Sequence, residues 1–146
     1  MDSNLEVVNA YLVTVFNDIL TIEESELKKS QFDDLSIKEM HTIEAIGLHQ
    51  EKTSSEVAKA LSVTVGTLTV AINNLEKKGY VERVRGTTDR RIVRLKLTNR
   101  GRLFYRVHHL FHKKMVEAAL GDMNEDEKKA IIKGLRNLHG FLKNQY

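Results

Sequence analysis

The chain has 146 residues, is 41% hydrophobic and carries a formal net charge of +3, which suits a single domain with a real core. It has no Cys, which excludes a disulfide scaffold, a thiolate metal site and a thiol redox switch, and no Pro, which favours uninterrupted helices. No unbroken apolar run approaches the roughly 20 residues of a membrane span, and an acid at Asp2 stands where an export signal would carry Lys or Arg, so a cytoplasmic protein is expected.

Leu5 to about Leu27 reads as one amphipathic helix, with Leu5, Val8, Leu12, Phe16, Ile19 and Ile22 recurring at three and four. Such a stripe packs on its own domain or on a second subunit. Ser36-Ile-Lys-Glu39 is a capping box that opens a short helix ending near Gly47, with Met40, Ile43 and Ile46 on one face and His41 beside it. Thr53-Ser-Ser-Glu56 is a second capping box, followed by about two helical turns carrying Val57, Ala60 and Leu61. Ser62 to Thr64 breaks the pattern. A longer helix then runs from Val65 to about Lys78 with Val65, Leu68, Ile72 and Leu75 on its stripe, and Gly79 stands where a left-handed cap is wanted. Two helices joined by a tight turn, the second longer, predict a helix-turn-helix.

Tyr80–Val84 and Ile92–Leu97 have strand character, and the polar tip RGTTDRR lies between them. The layout predicted is a mainly α winged helix-turn-helix with a two-stranded β-wing. The DNA-binding lobe is expected over 36–98, flanked by helical regions at 1–30 and 99–146, to which the family resemblance given below assigns dimerisation. From Lys77 to Lys114, thirteen Lys and Arg stand against Glu82 and Asp89, a local net charge of +11 that leaves −8 for the remainder. That segregation is the footprint of a phosphate-backbone partner. Thr98 to about Leu120 forms a long helix with Val107 and Phe111 on its apolar side, and a third capping box at Asn124–Glu127 opens the last helix. No glycine-rich phosphate loop, nucleophile elbow or HExxH occurs, so an enzyme is the least favoured class.

The exposed face of the second helix offers Gly66, Thr67, Thr69, Val70 and Asn73, with no basic residue before Lys77. Thr67, Thr69 and Val70 suit thymine methyl groups, and Asn73 suits an adenine edge, so an A·T-rich site is expected. Arg90 is the candidate for a narrow minor groove, while Asp89 and Arg91 hold the tip by an ion pair. Ser54, Ser55, Lys77 and Arg94 are phosphate candidates. For the two serines, simple helix capping explains the residue type equally well.

The run LEKKGYVERVRGTTDRRIVRLKLTNRG, Leu75–Gly101, resembles the MarR family of bacterial winged-helix repressors. The Asp89-Arg90-Arg91 tip, the Leu97-Thr98 strand end and Gly101 all fall at the family's spacing. With the flanking helices, the resemblance covers nearly the whole chain. Ser36–Gly47 and Arg102–Glu117 look most like the FabT type, the fatty-acid-synthesis repressors of streptococci and their relatives. The resemblance implies a homodimer on double-stranded DNA whose terminal helices interlock, and an arginine of the tip in the minor groove. It also implies an effector pocket that takes a long acyl chain delivered by acyl carrier protein as corepressor. Phe16, Ile19, Met40, His41, Ile43, Val107 and Phe111 are the pocket candidates, and Arg102 and Arg106 the carrier-protein contacts.

Two rival readings stand beside this one. His108 and His112 are at i, i+4 on one helix, and with His41 and with Glu23 or Glu24 of the first helix, Glu24 foremost, they resemble the donor set of zinc-responsive MarR-like repressors. A stripe of ordinary core and wet histidines is the more economical account of the same residues. The other rival is an architectural nucleic-acid protein with no effector. No resident cofactor is expected.

Overall fold

In a computed structural model of the chain, residues 2–86 and 88–145 are described; Thr87 of the predicted wing tip lies outside them. The chain divides into two units, 1–106 and 107–146.

The first unit opens with α1, Ser3–Lys29, capped by Asp2, whose carboxylate accepts from the Asn4 and Leu5 amides. Every residue from Ser3 to Asp18 is exposed. Over its most apolar 18 residues α1 reaches a mean hydropathy of 1.4, so by length and composition it is long and apolar enough to cross a membrane. The average and the unbroken-run count differ because scattered Asn, Thr and Asp residues interrupt the runs without lowering the average as far.

α2, Ile37–Ile46, begins on the predicted capping box: the Glu39 amide donates to Ser36 Oγ, and the Ser36 amide donates to the Glu39 carboxylate. β1, Lys52–Thr53, leads into α3, Ser54–Leu61, where Thr53 and Glu56 form the same reciprocal cap. Ser62 takes the left-handed conformation at φ 56°, and the chain turns through 106° into α4, Val65–Lys77. That angle is within the usual range for a helix-turn-helix. Lys78 ends α4 and Gly79 follows at φ +85°, a backbone region that disfavours any residue with a Cβ.

β2, Val81–Arg85, and β3, Val93–Leu97, form the antiparallel wing, and β1 pairs with the other edge of β3. The sheet therefore has three strands rather than two. β1 escaped prediction because two residues cannot display an alternating pattern. The register sets Arg83 opposite Leu95 and Glu82 opposite Lys96. Residues directly opposite share a face, so Leu95 and Leu97 point into the core, while Glu82 and Lys96 form an outer cross-strand ion pair at 3.1 Å. The core joins Met40, Ile43 and Ile46 of α2 to Val57 of α3, Leu68, Ile72 and Leu75 of α4, and Leu95 and Leu97 of β3. Each such side chain contributes about 1.5–3 kcal/mol on burial. α5, Asn99–Leu120, starts on Thr98, whose hydroxyl accepts from the Gly101 amide.

The second unit holds the rest of α5 from Val107 onward and α6, Glu125–Gln145. Asn124 and Glu127 form the third reciprocal cap. Among its described residues α6 has none buried; Ile132, Leu135, Phe141 and Leu142 are all exposed.

Candidate nucleic-acid interface

α4 presents two faces of different chemistry. Leu68, Ile72 and Leu75 are buried, whereas Gly66, Thr67, Thr69, Val70, Asn73 and Lys77 are all exposed. The exposed set is held in order from within. Thr64 caps the helix by accepting from the Thr67 amide, and its hydroxyl donates to the Thr67 hydroxyl at 2.9 Å. The Thr69 hydroxyl donates to Val65 O at 2.8 Å, so the methyl group is what Thr69 offers a neighbour. Val70 adds an exposed isopropyl group. From Gly66 to Asn73 the face is small, methyl-rich and uncharged, and no basic residue of α4 precedes Lys77, a surface suited to thymine methyl groups in a major groove.

Asn73 is less free than its sequence position implied. Its Oδ1 accepts from Arg83 Nη2 at 2.8 Å, while Arg83 Nη1 donates to Glu76 at 2.6 Å. Arg83 was absent from the sequence-derived candidates. It lies ten residues beyond Asn73 across a helix end and a turn, and no spacing rule links the two. Its alternation with Val81 and Arg85 was the only available signal.

The wing tip is built by backbone and by one ion pair. The Gly86 amide donates to Ile92 O and the Ile92 amide to Asp89 O. A Cβ on Gly86 would meet Asp89 O at 2.6 Å, so the closed tip requires glycine there. Asp89 accepts from the Arg91 amide at 3.0 Å and from its Nε and Nη2 at 3.1 and 3.0 Å. These bonds hold the Asp89 carboxyl below its ordinary range. Arg91 is thereby occupied. Arg90 is exposed, and its side chain has no ion pair among the described residues; its carbonyl accepts from Arg85. The ion pair expected between Asp89 and Arg91 is present.

At the start of α3, Thr53 supplies the cap, and the side chains of Ser54 and Ser55 make no hydrogen bond among the described residues. Capping therefore does not account for these serines. Arg94 is half-buried on the outer sheet face opposite Thr53 and Val84, and Lys77 is exposed in the last turn of α4.

The other candidates are dispersed. Met40 and Ile43 are fully buried in the core of the first unit, whereas His41 is exposed on α2 and Phe16 on α1, with Ile19 half-buried. Val107 and Phe111 belong to the second unit. Arg102 donates to Leu97 O at 2.8 Å and to Asn99 Oδ1, tying down the start of α5, while Arg106 is exposed. In the alternative metal set, Glu24 pairs with Lys28 at 3.6 Å, and α5 brings His108 Nε2 and His112 Nε2 within 2.8 Å of each other.

A helix-turn-helix followed by a basic-tipped hairpin defines the class: a winged helix-turn-helix protein. Residues 35–93 match the MarR family. Over 97% of its length the chain is 51% identical to FabT of Streptococcus pneumoniae, whose structure was solved in complex with DNA. The match covers 99% of that chain, with a TM-score of 0.88. The transcriptional regulator BilQ of Clostridium symbiosum is 29% identical over 92% of each chain. The regulator PchR of Bacillus subtilis is 25% identical over 95% of this chain and 80% of its own. The chain belongs to the MarR family.

Proposed function

We propose that the chain is a cytoplasmic transcriptional repressor of fatty acid biosynthesis genes. It binds an A·T-rich palindromic operator as a homodimer, with long-chain acyl–acyl carrier protein as corepressor. The observation that carries this reading is the 51% identity to FabT along almost the whole chain, joined to the chemistry of α4 and the wing. Two α4 helices enter successive major grooves about one helical turn apart, Ser54, Ser55, Lys77 and Arg94 meet phosphates, and Arg90 enters the flanking minor groove.

The acyl part of the proposal comes from the resemblance to the FabT type and from side-chain chemistry. Phe16, Ile19, Met40, Ile43, Val107 and Phe111 are large and apolar, which suits an alkyl chain, and each buried methylene contributes about 0.8 kcal/mol. Only the part of that energy that differs between DNA-bound and free conformations shifts affinity. Arg106, exposed and with no ion pair among the described residues, is the better of the two candidates for the acidic carrier, because Arg102 is engaged at the start of α5.

The test is an operator titration with no carrier, with unacylated carrier and with long-chain acyl carrier. The acylated carrier is expected to tighten binding about 5–150-fold, an ordinary allosteric coupling. Equal affinity in all three conditions would remove the corepressor from the account.

A further inference from the structure

Arg83 is divided between two residues of α4. It stands on β2 opposite Leu95. One terminal nitrogen donates to Glu76 at 2.6 Å and the other to Asn73 Oδ1 at 2.8 Å. A guanidinium carries donors only. The side-chain amide of Asn73 therefore has to turn its oxygen to Arg83, because a flipped amide would set NH2 against NH2. Its Nδ2 hydrogens are left to point away, and no acceptor for them occurs among the described residues. Glu76 offsets the charge of Arg83 and would repel a phosphate placed at the same fork.

We propose that Arg83 is a specificity-determining positioning residue, fixing Asn73 as a hydrogen-bond donor toward the major groove. α4 then reads a base-edge acceptor at one position of each half-site: a purine N7, thymine O4 or guanine O6. A freely rotating Asn presents donor and acceptor together and fits adenine in bidentate fashion. With its oxygen held by Arg83, Asn73 keeps the donor half of that code. This inference rests on the DNA-binding reading above.

The test is selection from a pool of randomised 24-base-pair duplexes with the full chain and with Arg83→Leu, Asn73→Ala and Asn73→Asp, each checked for folding by thermal melting. The wild type is expected to select a defined site. Each variant is expected to lose discrimination at the same base pair of each half-site by roughly three- to tenfold, the worth of one hydrogen bond. Preferences elsewhere should be unchanged, and so should the salt dependence of binding for Asn73→Ala, which alters no charge. Asn73→Asp is the sharpest arm, because its carboxylate still engages Arg83 but offers no donor. A uniform loss across all positions with a salt slope smaller by about one would make Arg83 a phosphate contact and overturn the inference. Unchanged preferences in folded variants would overturn it equally. A wild-type chain that selects no site would remove the DNA reading, and this inference with it.

Discussion

The Tyr80 hydroxyl donates to Asp34 Oδ1 at 2.6 Å, joining the corner between α4 and β2 to the segment between α1 and α2. Arg100 stacks on the Tyr80 ring at 4.3 Å and pairs with Asp34 at 3.4 Å, and Lys78 donates to the Asp34 carbonyl and the Glu39 carboxylate. The start of α5, the end of α4 and the approach to α2 thus share one polar cluster. Burial first, and the bond to Asp34 second, push the Tyr80 hydroxyl above its ordinary range.

Tyr80→Phe keeps the ring and removes the bond, at an expected cost of about 1–2 kcal/mol. The raised folded pKa adds a pH dependence. Stability from this group is complete below the ordinary tyrosine range, near pH 10, and is lost as pH rises beyond it, because only the unfolded chain releases the proton readily. Urea denaturation at fixed protein concentration should show a fall above about pH 10 that is smaller in Tyr80→Phe. Coincident curves for the two proteins at all pH values would refute the role given to this bond.

The Asp89–Arg91 pair shapes the tip without carrying the fold. Its carboxyl is lowered by the Arg91 side chain first and by the Arg91 amide second. The closed tip is therefore complete above the ordinary carboxylate range and lost only as pH falls through the lower folded value. Asp89→Ala should speed hydrogen exchange at the Arg91 amide and weaken operator binding, with little change in global stability. Unaltered exchange in that variant would show that the backbone alone closes the tip.

Gly66 offers a separation of folding from function. It lies in the first turn of α4 without a positive φ, and a Cβ there would meet nothing nearer than Thr64 Oγ1 at 3.9 Å. Glycine in a helix costs about 0.5–1 kcal/mol relative to alanine, and nothing among the described residues requires it. Gly66→Ala should therefore raise the melting temperature while weakening operator binding, because the missing Cβ leaves room for DNA. Gly101 is the contrast: its Cβ would come within 2.2 Å of Tyr80 O, so Gly101→Ala should destabilise the fold itself. If Gly66→Ala bound the operator as well as wild type, close approach at that position would be excluded.

Leu5, Val8, Leu12 and Phe16 on α1 and Ile132, Leu135, Phe141 and Leu142 on α6 are exposed apolar side chains in the single chain. Each helix thus carries its own exposed apolar stripe; such a stripe marks a partner surface, and a second copy is the expected partner. Sedimentation at micromolar concentration in detergent-free buffer should give a dimer, and Leu12→Glu should shift it toward monomer with a loss of operator affinity. A wild-type monomer that still binds the operator, or a chain that partitions into lipid vesicles through α1, would contradict this.

The elements that organise the first unit were legible because their signals are local. Two capping boxes, the αL glycine at Gly79 and the buried stripe Leu68, Ile72, Leu75 each act within a few residues. The tip also announced itself, since Asp89 and Arg91 are two positions apart. What escaped depends on chain segments meeting across the fold. β1 is too short to carry a pattern, Arg83 reaches Asn73 only after the hairpin has folded back on α4, and the Tyr80–Asp34 bond spans 46 residues. Met40 and Ile43 show the converse: their apolar character fits a ligand pocket and a solid core alike, and burial alone separates neither role.

The central claim is sequence-specific DNA binding through α4 and the wing. Its most direct measurement is the affinity ratio, at physiological salt, between a duplex selected by the wild-type chain and a scrambled duplex of the same composition. A ratio of about 10³ or more is expected, in the usual range for specific regulators, and a smaller ratio for Arg90→Ala with an A·T-flanked site. Equal affinity for the two duplexes would mean binding by counterion release alone, and would leave an architectural nucleic-acid protein in place of a repressor.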